Sequence, residues 1–323
     1  MNQHSHEFME ARRGGLGGSD MAAILGFSRY ATPYDVWLAK RGEAEPERQE
    51  EKPWLYWGHQ LEDLIAKEYQ KRTQRRVQRV NRQMRHPDHS FMVGHIDRAV
   101  VNPEIAGRVN WKMGRLTTDR ILEIKTANAF TAGAWGESGT DDVPEEYLIQ
   151  CQWYMGLTGA DVADLAVLIG GSDYRSYSIA RHDGLIDDLV AEAERFWRLV
   201  ESGVAPDPQT VEDCKRRWPQ HTTSRTEIVG VDVARKVDRL KDIKAEIKEL
   251  ESEAEALRVP VLAAFGDAEA ITHGGERLAT WKTQAQTRLD AKKVKAERPD
   301  VFEQYAATTE TRVLRLATRK PED

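Results

Sequence analysis

Two positions carry chemistry most directly: Asp97 and the Glu123-Ile124-Lys125 triplet. In an extended strand, residues two apart project to the same side. Glu123 and Lys125 therefore point together, while Leu122 and Ile124 pack the other face. An acid and a base side by side on so apolar a strand are costly to bury unless they are paired or bind a metal. A carboxylate from a neighbouring strand, Asp97, would complete an oxygen-rich pocket suited to a hard cation such as Mg²⁺. Such an ion polarises a phosphate and lowers the pKa of bound water, and a second ion can stabilise the leaving oxygen. Lys125 could orient the water or offset charge at phosphorus. An isolated E-x-K is far more often a surface ion pair, so the neighbouring elements decide.

Those elements can be read from periodicity. Gly14 to Gly26 (GGLGGSDMAAILG) leads into a short helix capped by Ser19-Asp20, and Pro33 to Arg41 reads as a second helix. Trp57, Leu61, Leu64, Ile65 and Tyr69 recur at helical spacing, with Glu62 beside the stripe. A β region begins near Phe91, with Phe91, Val93, His95 and Asp97 alternating on one face; ILEIK is the next strand. The long connection between Asp97 and Glu123, containing Pro103, Trp111 and Gly114, reads as an enlarged hairpin loop. Pro144 opens a helix that puts Tyr147, Gln150, Cys151 and Tyr154 on one face. Strands over Asp164–Ile169 and Tyr174–Ile179 follow, then a helix from Asp183 to about Ser202.

The expected domains are 1–209, a linker over 210–230, and 231–323. In the last, Val233, Val237, Leu240, Ile243, Ile247, Leu250, Ala254 and Leu257 mark an amphipathic helix suited to a coiled coil or helical hairpin, which Pro260 and Gly266 should end or kink. Gly274-Gly275 marks a β-hairpin, and the tail should hold a short helix and a strand over Arg312–Ala317.

The chain has 323 residues, 40% hydrophobic and 31% charged, which suits a soluble protein with more than one core. No run is long enough to span a bilayer, the start has no apolar leader, and two cysteines build no disulfide framework. A cytoplasmic, phage or bacterial protein is expected. A net charge of -6 does not advertise nucleic-acid binding. A local basic patch is enough, however, and Lys71, Arg72, Arg75, Arg76, Arg79, Arg82 and Arg85 supply a candidate. His86 and His89 flank an apparent turn and read as loop residues. Gly14, Gly17 and Gly18 precede no P-loop lysine, and Cys151 reads as packing.

Five blocks together resemble the lambda-exonuclease-like, YqaJ-type viral recombinases of the PD-(D/E)XK nuclease superfamily. They are R-x-G-x-L-G-G-S-D (Arg12 to Asp20), W-G-H-Q-L-E (Trp57 to Glu62), G-H-I-D (Gly94 to Asp97), L-E-I-K-T (Leu122 to Thr126) and P-E-E-Y-L-I-Q-C-Q-W-Y-M (Pro144 to Met155). The resemblance implies an α/β restriction-endonuclease-like core, a mixed sheet flanked by helices, followed by a helical and small β appendage. It implies a Mg²⁺-dependent 5′-to-3′ exonuclease that processively digests one strand of linear duplex DNA, leaving 3′ single strands for a strand-annealing protein. Carried over residue by residue, Asp97, Glu123 and Glu62 would hold two Mg²⁺ (or Mn²⁺) ions. Lys125 would be the catalytic lysine, and Gln150 would support the metal or the attacking water. Arg12, Ser19 and Tyr154 would contact DNA, and a homotrimer would be the assembly. An endonuclease of the same fold and a non-catalytic DNA-binding recombination partner are the competing readings; three intact site residues speak against the second.

Overall fold

The computed structural model describes residues 12–44 and 53–317. His4, His6 and most of the stretch from Glu43 to Pro53 lie outside the described residues. The chain divides into two compact units after Cys214.

In the first unit, α1 (Gly18–Ile24), α2 (Pro33–Arg41) and α3 (Pro53–Thr73) precede a series of short strands: β1 (Val77–Gln78), β2 (Met84–Arg85), β3 (Val93–Gly94), β4 (Arg98–Val100), β5 (Trp111–Lys112) and β6 (Arg115–Leu116). The long strand β7 (Arg120–Ala127) leads through α4 (Glu145–Thr158) to β8 (Val162–Ile169), β9 (Asp173–Ala180) and α5 (Asp183–Ser202). The main sheet has the order β1-β4-β7-β8-β9. Only β7 and β8 run parallel, joined across α4; the other pairs are antiparallel. This is the expected mixed sheet flanked by helices.

The alternation in ILEIK sets which helix covers which face. Leu122 and Ile124 pack with Ile65, Ala66 and Tyr69 of α3. Ile121 faces the larger core with Cys151, Met155 and Leu157 of α4. Glu123 and Lys125 share Ile121's side of the strand. Burying α3 takes only part of its stripe: Trp57 and Leu64 are more than half exposed. Leu61 is partly buried against the same cluster, and Ile65, Ala66 and Tyr69 are the α3 residues it buries fully.

Asp97 is not in the continuous strand expected from Phe91. β3 ends at Gly94 and β4 begins at Arg98, with Asp97 in the link between them. Residues 91–94, 96 and 98–100 are all buried, so no single face alternates. β3 pairs with β2 and, through a Leu16–Met92 bridge, lies beside the glycine-rich segment before α1. The excursion between β4 and β7 is a real insertion. It carries the β5–β6 hairpin, turned by Met113 (φ 48°) and Gly114 (φ 76°), while β4 and β7 still pair.

Gly94 is where β3 passes closest to α4. A Cβ there would lie 2.7 Å from Tyr154 Cε1 and 2.9 Å from Leu157 Cδ2. Gly94→Ala is therefore expected to cost about 1–3 kcal/mol, read as a lower midpoint in urea unfolding. An unchanged midpoint would show that the helix yields freely there.

The stretch 210–230, read as linker, contains α6 (Val211–Arg217). Its buried Asp213 accepts hydrogen bonds from Thr32 Oγ1 (3.0 Å) and the amides of Gln209 and Thr210 (3.1 Å each), tying the helix start to the first unit. The second unit has α7 (Val231–Phe265), a hairpin of β10 (Ala270–His273) and β11 (Glu276–Thr280), then α8 (Ala291–Glu297) and α9 (Pro299–Tyr305). Gly274 and Gly275 take positive φ in the hairpin turn, as their pairing in sequence predicts. Pro260 lies within α7 without ending it; the helix runs on to Phe265 and stops at Gly266, the other residue expected to close it. One expectation fails here. No strand forms over Arg312–Ala317: Val313 and Leu314 are exposed, and the only sheet described in this unit is the β10–β11 pair.

Candidate active site

The antiparallel register of β4 and β7 pairs Arg98 with Leu122 and Ala99 with Ile121, so Asp97 and Glu123 are the next residues along. Pairing stops there because Asp97 replaces a main-chain acceptor with its side chain: Oδ2 accepts from Ile124 N at 2.7 Å. Glu123 is buried, and its Oε1 accepts from Lys125 Nζ and from Gln150 Nε2, both at 2.7 Å. Gln150 Nε2 also reaches Tyr154 Oη at 3.3 Å, and Lys125 Nζ lies 5.3 Å from the centre of the Tyr147 ring. β7 thus supplies the acid and the base, the β3–β4 link the second acid, and α4 the amide that orients the first.

Burial, then the neighbouring Glu123, pushes the Asp97 carboxyl well above its ordinary value. Burial also raises Glu123, with Lys125 opposing it. Lys125 stays charged: burial works against it, but Glu123 and Asp97 outweigh burial and raise its pKa. Two carboxylates beside one lysine leave excess negative charge in a poorly solvated place. A divalent cation would neutralise that excess, and carboxylate oxygen is the donor Mg²⁺ and Mn²⁺ prefer. The pair fits such an ion, while among the described residues no group of three His, Cys, Asp or Glu stands ready to hold one.

Glu62 is differently engaged than a free ligand would be. Its Oε1 is paired with the Arg98 guanidinium and lies 3.9 Å from Arg79. Arg98, itself buried, also donates to Asp63 Oδ1 at 2.6 Å and to the Asp97 carbonyl. Arg98 thereby links the α3 acids to the main chain of Asp97. Sequence reading missed it, although its place two residues before Val100, on the face toward α3, was a usable sign.

A cavity of about 1070 Å³ joins these groups. Asp97, Glu123, Lys125, Glu62 and Gln150 line it, as do Arg12 and Ser19 from the glycine-rich segment. Arg12 Nη2 lies 3.5 Å from Ser19 Oγ and 3.6 Å from Asp20 Oδ1, and both Arg12 and Ser19 are exposed. Tyr154 lines the cavity as well, deeper and 7% exposed, with its Oη beside Gln150 Nε2. The candidate basic patch stands apart from this cavity: of the arginines, Arg12 and Arg29 line it, and none from Arg72 to Arg85 does. Those side chains are spent on the scaffold, with Arg72 on Glu68, Arg75 on Asp164 and Arg79 on Asp63. The His86 and His89 rings lie 5.0 Å apart, tilted to each other in their turn, where His86 Nδ1 accepts from the Asp88 and His89 amides. Cys151 is fully buried, as read.

The segment carrying Arg12 and Ser19 is fastened by a buried pair. Ser19 does not cap α1; Gly17 holds that position, and Asp20 returns its carboxylate to Gly17 N at 2.8 Å. Lys40 Nζ donates to Asp20 Oδ2 at 2.6 Å and to the Arg12 carbonyl at 2.9 Å. Burial alone would raise the Asp20 carboxyl, but Lys40, Arg12 and the Gly17 amide hold it below the ordinary range. Lys40 lies on the stripe of Val36 and Trp37, an unusual place for a lysine and the sign that could have found it. Lys40→Met should cost about 3–5 kcal/mol by leaving Asp20 buried without its cation. The double change Lys40→Met, Asp20→Leu should recover most of that loss in chemical denaturation. Equal stability of Lys40→Met and wild type would disprove the role.

An acid on the link into β4, an E-x-K strand beside it, and a parallel crossover helix over that face together form the PD-(D/E)XK core. A family model described as the YqaJ-like viral recombinase domain matches residues 7–161. The uncharacterized protein YqaJ of Bacillus subtilis (strain 168) is 32% identical over 315 residues, covering 95% of this chain and 92% of that protein. The chain belongs to the YqaJ-like viral recombinase family. Among solved structures, an alkaline exonuclease from Laribacter hongkongensis aligns with a TM-score of 0.46 and 19% identity, over 66% of this chain and 97% of that one. A phage related exonuclease from Haemophilus somnus 129PT aligns with a TM-score of 0.39 and 13% identity, over 59% and 96%. No helix among the described residues is long and apolar enough to cross a membrane.

Proposed function

We propose that the chain is a Mg²⁺-dependent exonuclease that digests one strand of linear duplex DNA from its 5′ end, leaving a 3′ single strand for an annealing protein. The observation that carries this reading is the meeting of Asp97, Glu123, Lys125 and Gln150 in one cavity that also takes in Arg12 and Ser19. Membership of a viral recombinase family supports DNA as the substrate.

Asp97 and Glu123 would hold the ion, with Glu62 joining if it exchanges Arg98 for the metal. When bound, the ion supplies Lewis acidity at the scissile phosphate and a more acidic water. Gln150 keeps Glu123 Oε1 oriented, and Lys125 brings a fixed positive charge to where negative charge grows on phosphorus. Arg12 and Ser19 would receive the phosphate at the DNA end. Their exposure at the cavity rim suits an incoming strand.

Linear and covalently closed circular duplexes of one sequence separate the readings. With Mg²⁺, the linear form should lose its 5′-terminal label first and the circle should remain closed. Nicking of the circle would make the protein an endonuclease, and no digestion of either DNA with Mg²⁺ or Mn²⁺ would leave a DNA-binding partner.

A further inference from the structure

We propose that α7 pairs with α7 of a second copy of this chain in antiparallel orientation, giving the protein a two-fold contact through its second unit.

α7 is 35 residues long, and the side chains that should bury it are in solvent. Val233, Ile247, Leu250, Leu257 and Val261 are between 45% and 63% exposed. Those side chains follow the coiled-coil rhythm. Ile243, Ile247, Leu250, Ala254, Leu257 and Val261 alternate gaps of four and three, and Val233, Val237 and Leu240 form a shorter block before them. The two blocks meet at a second consecutive gap of three, so the continuous seam is the later one. A seam of this spacing accepts a helix with the same spacing, and another copy of α7 is such a helix.

Charge selects both the occupant and its direction. Residues 231–245 carry five Lys or Arg against three Asp; residues 246–259 carry five Glu against two Lys or Arg. The first half is therefore basic and the second acidic. That order opposes the helix's own dipole, which favours acids toward the start and bases toward the end. It does nothing for an isolated helix. Two parallel copies would set like charge beside like charge. Two antiparallel copies set the basic half against the acidic half twice over, with the two dipoles also opposed. Facing Ile247 with Leu250 of the other copy, and Ile243 with Ala254, puts the two-fold axis between residues 248 and 249, close to the middle of α7. The same patch meets itself, as a two-fold contact requires.

The test is the solution mass of the full-length chain, by sedimentation, for wild type and three variants. The double variant Ile247→Glu, Leu250→Glu should lower the wild-type mass to that of whatever assembly the rest of the chain makes without α7 pairing. Lys241→Glu with Lys244→Glu, and separately Glu251→Lys with Glu253→Lys, should each weaken pairing, and mixing the two should restore it. Raising salt from about 50 mM to about 500 mM should weaken the wild-type contact, because its charges attract. A wild-type mass unmoved by the double Glu variant would overturn the contact. Pairing that strengthens with salt would overturn the antiparallel direction.

Discussion

Glu123→Ala should slow digestion of linear DNA by about 10³-fold or more, close to 4 kcal/mol of barrier. The purified variant should keep the wild-type circular dichroism spectrum. The loss is large because Glu123 is the meeting point of the site: Lys125 and Gln150 both bond its Oε1, and the register continues to Asp97 opposite it. The fold tolerates the change because burial works against this carboxylate's charge. Lys125→Ala should lose a comparable amount of activity for a different reason. It leaves two carboxylates facing each other without a cation, so its metal-free form should also melt lower than Glu123→Ala. If either variant digests DNA at the wild-type rate, these residues do not perform the chemistry.

Asp97→Asn should inactivate the protein and stabilise its metal-free form at the same time. The asparagine carbonyl still accepts from Ile124 N, so the local hydrogen bond survives. What disappears is a carboxylate whose folded pKa lies above its unfolded one. Such a group favours the folded state at low pH, and that contribution is lost as pH rises through the folded pKa. At neutral pH the charged pair therefore costs stability, and removing one member recovers it. A gain on the order of 1 kcal/mol corresponds to about 2–4 °C for a unit of this size. The gain should shrink as pH falls and Asp97 in the wild type takes up its proton. Mg²⁺ should raise the melting temperature of wild type and leave Asp97→Asn unchanged, because a ligand stabilises only the fold that binds it. Equal Mg²⁺ stabilisation of both proteins would place the ion elsewhere. Digestion should correspondingly increase with pH, since the ion competes with protons for the two acids.

Much of this was legible because strand geometry is simple. A period of two in ILEIK assigns Glu123 and Lys125 to one face and Leu122 and Ile124 to the other, and the packing against α3 follows. Pro33 in a first turn gave α2, the Gly274-Gly275 pair gave the β10–β11 hairpin, and the helix read to about Ser202 does end there, at α5's Gly203 cap. Asp97 was found as a residue but misplaced in its element. Alternation cannot show that a strand breaks where an aspartate side chain takes over a main-chain acceptor. The basic run from Lys71 to Arg85 misled because charge in sequence says nothing about partners: Asp63, Glu68 and Asp164 arrive from α3 and β8 and claim those guanidiniums. Arg98 and Lys40 escaped for the opposite reason. Each is a cation whose acid is distant along the chain, Asp20 for Lys40 and the α3 carboxylates for Arg98, and only the fold brings them together.

The decisive measurement is the position of Mn²⁺, by its anomalous scattering, in crystals of wild type and Asp97→Asn. An ion coordinated directly by the carboxylates of Asp97 and Glu123, and missing from the variant, is the predicted result. Active protein whose manganese is held by other side chains, with those two acids unliganded, would contradict it.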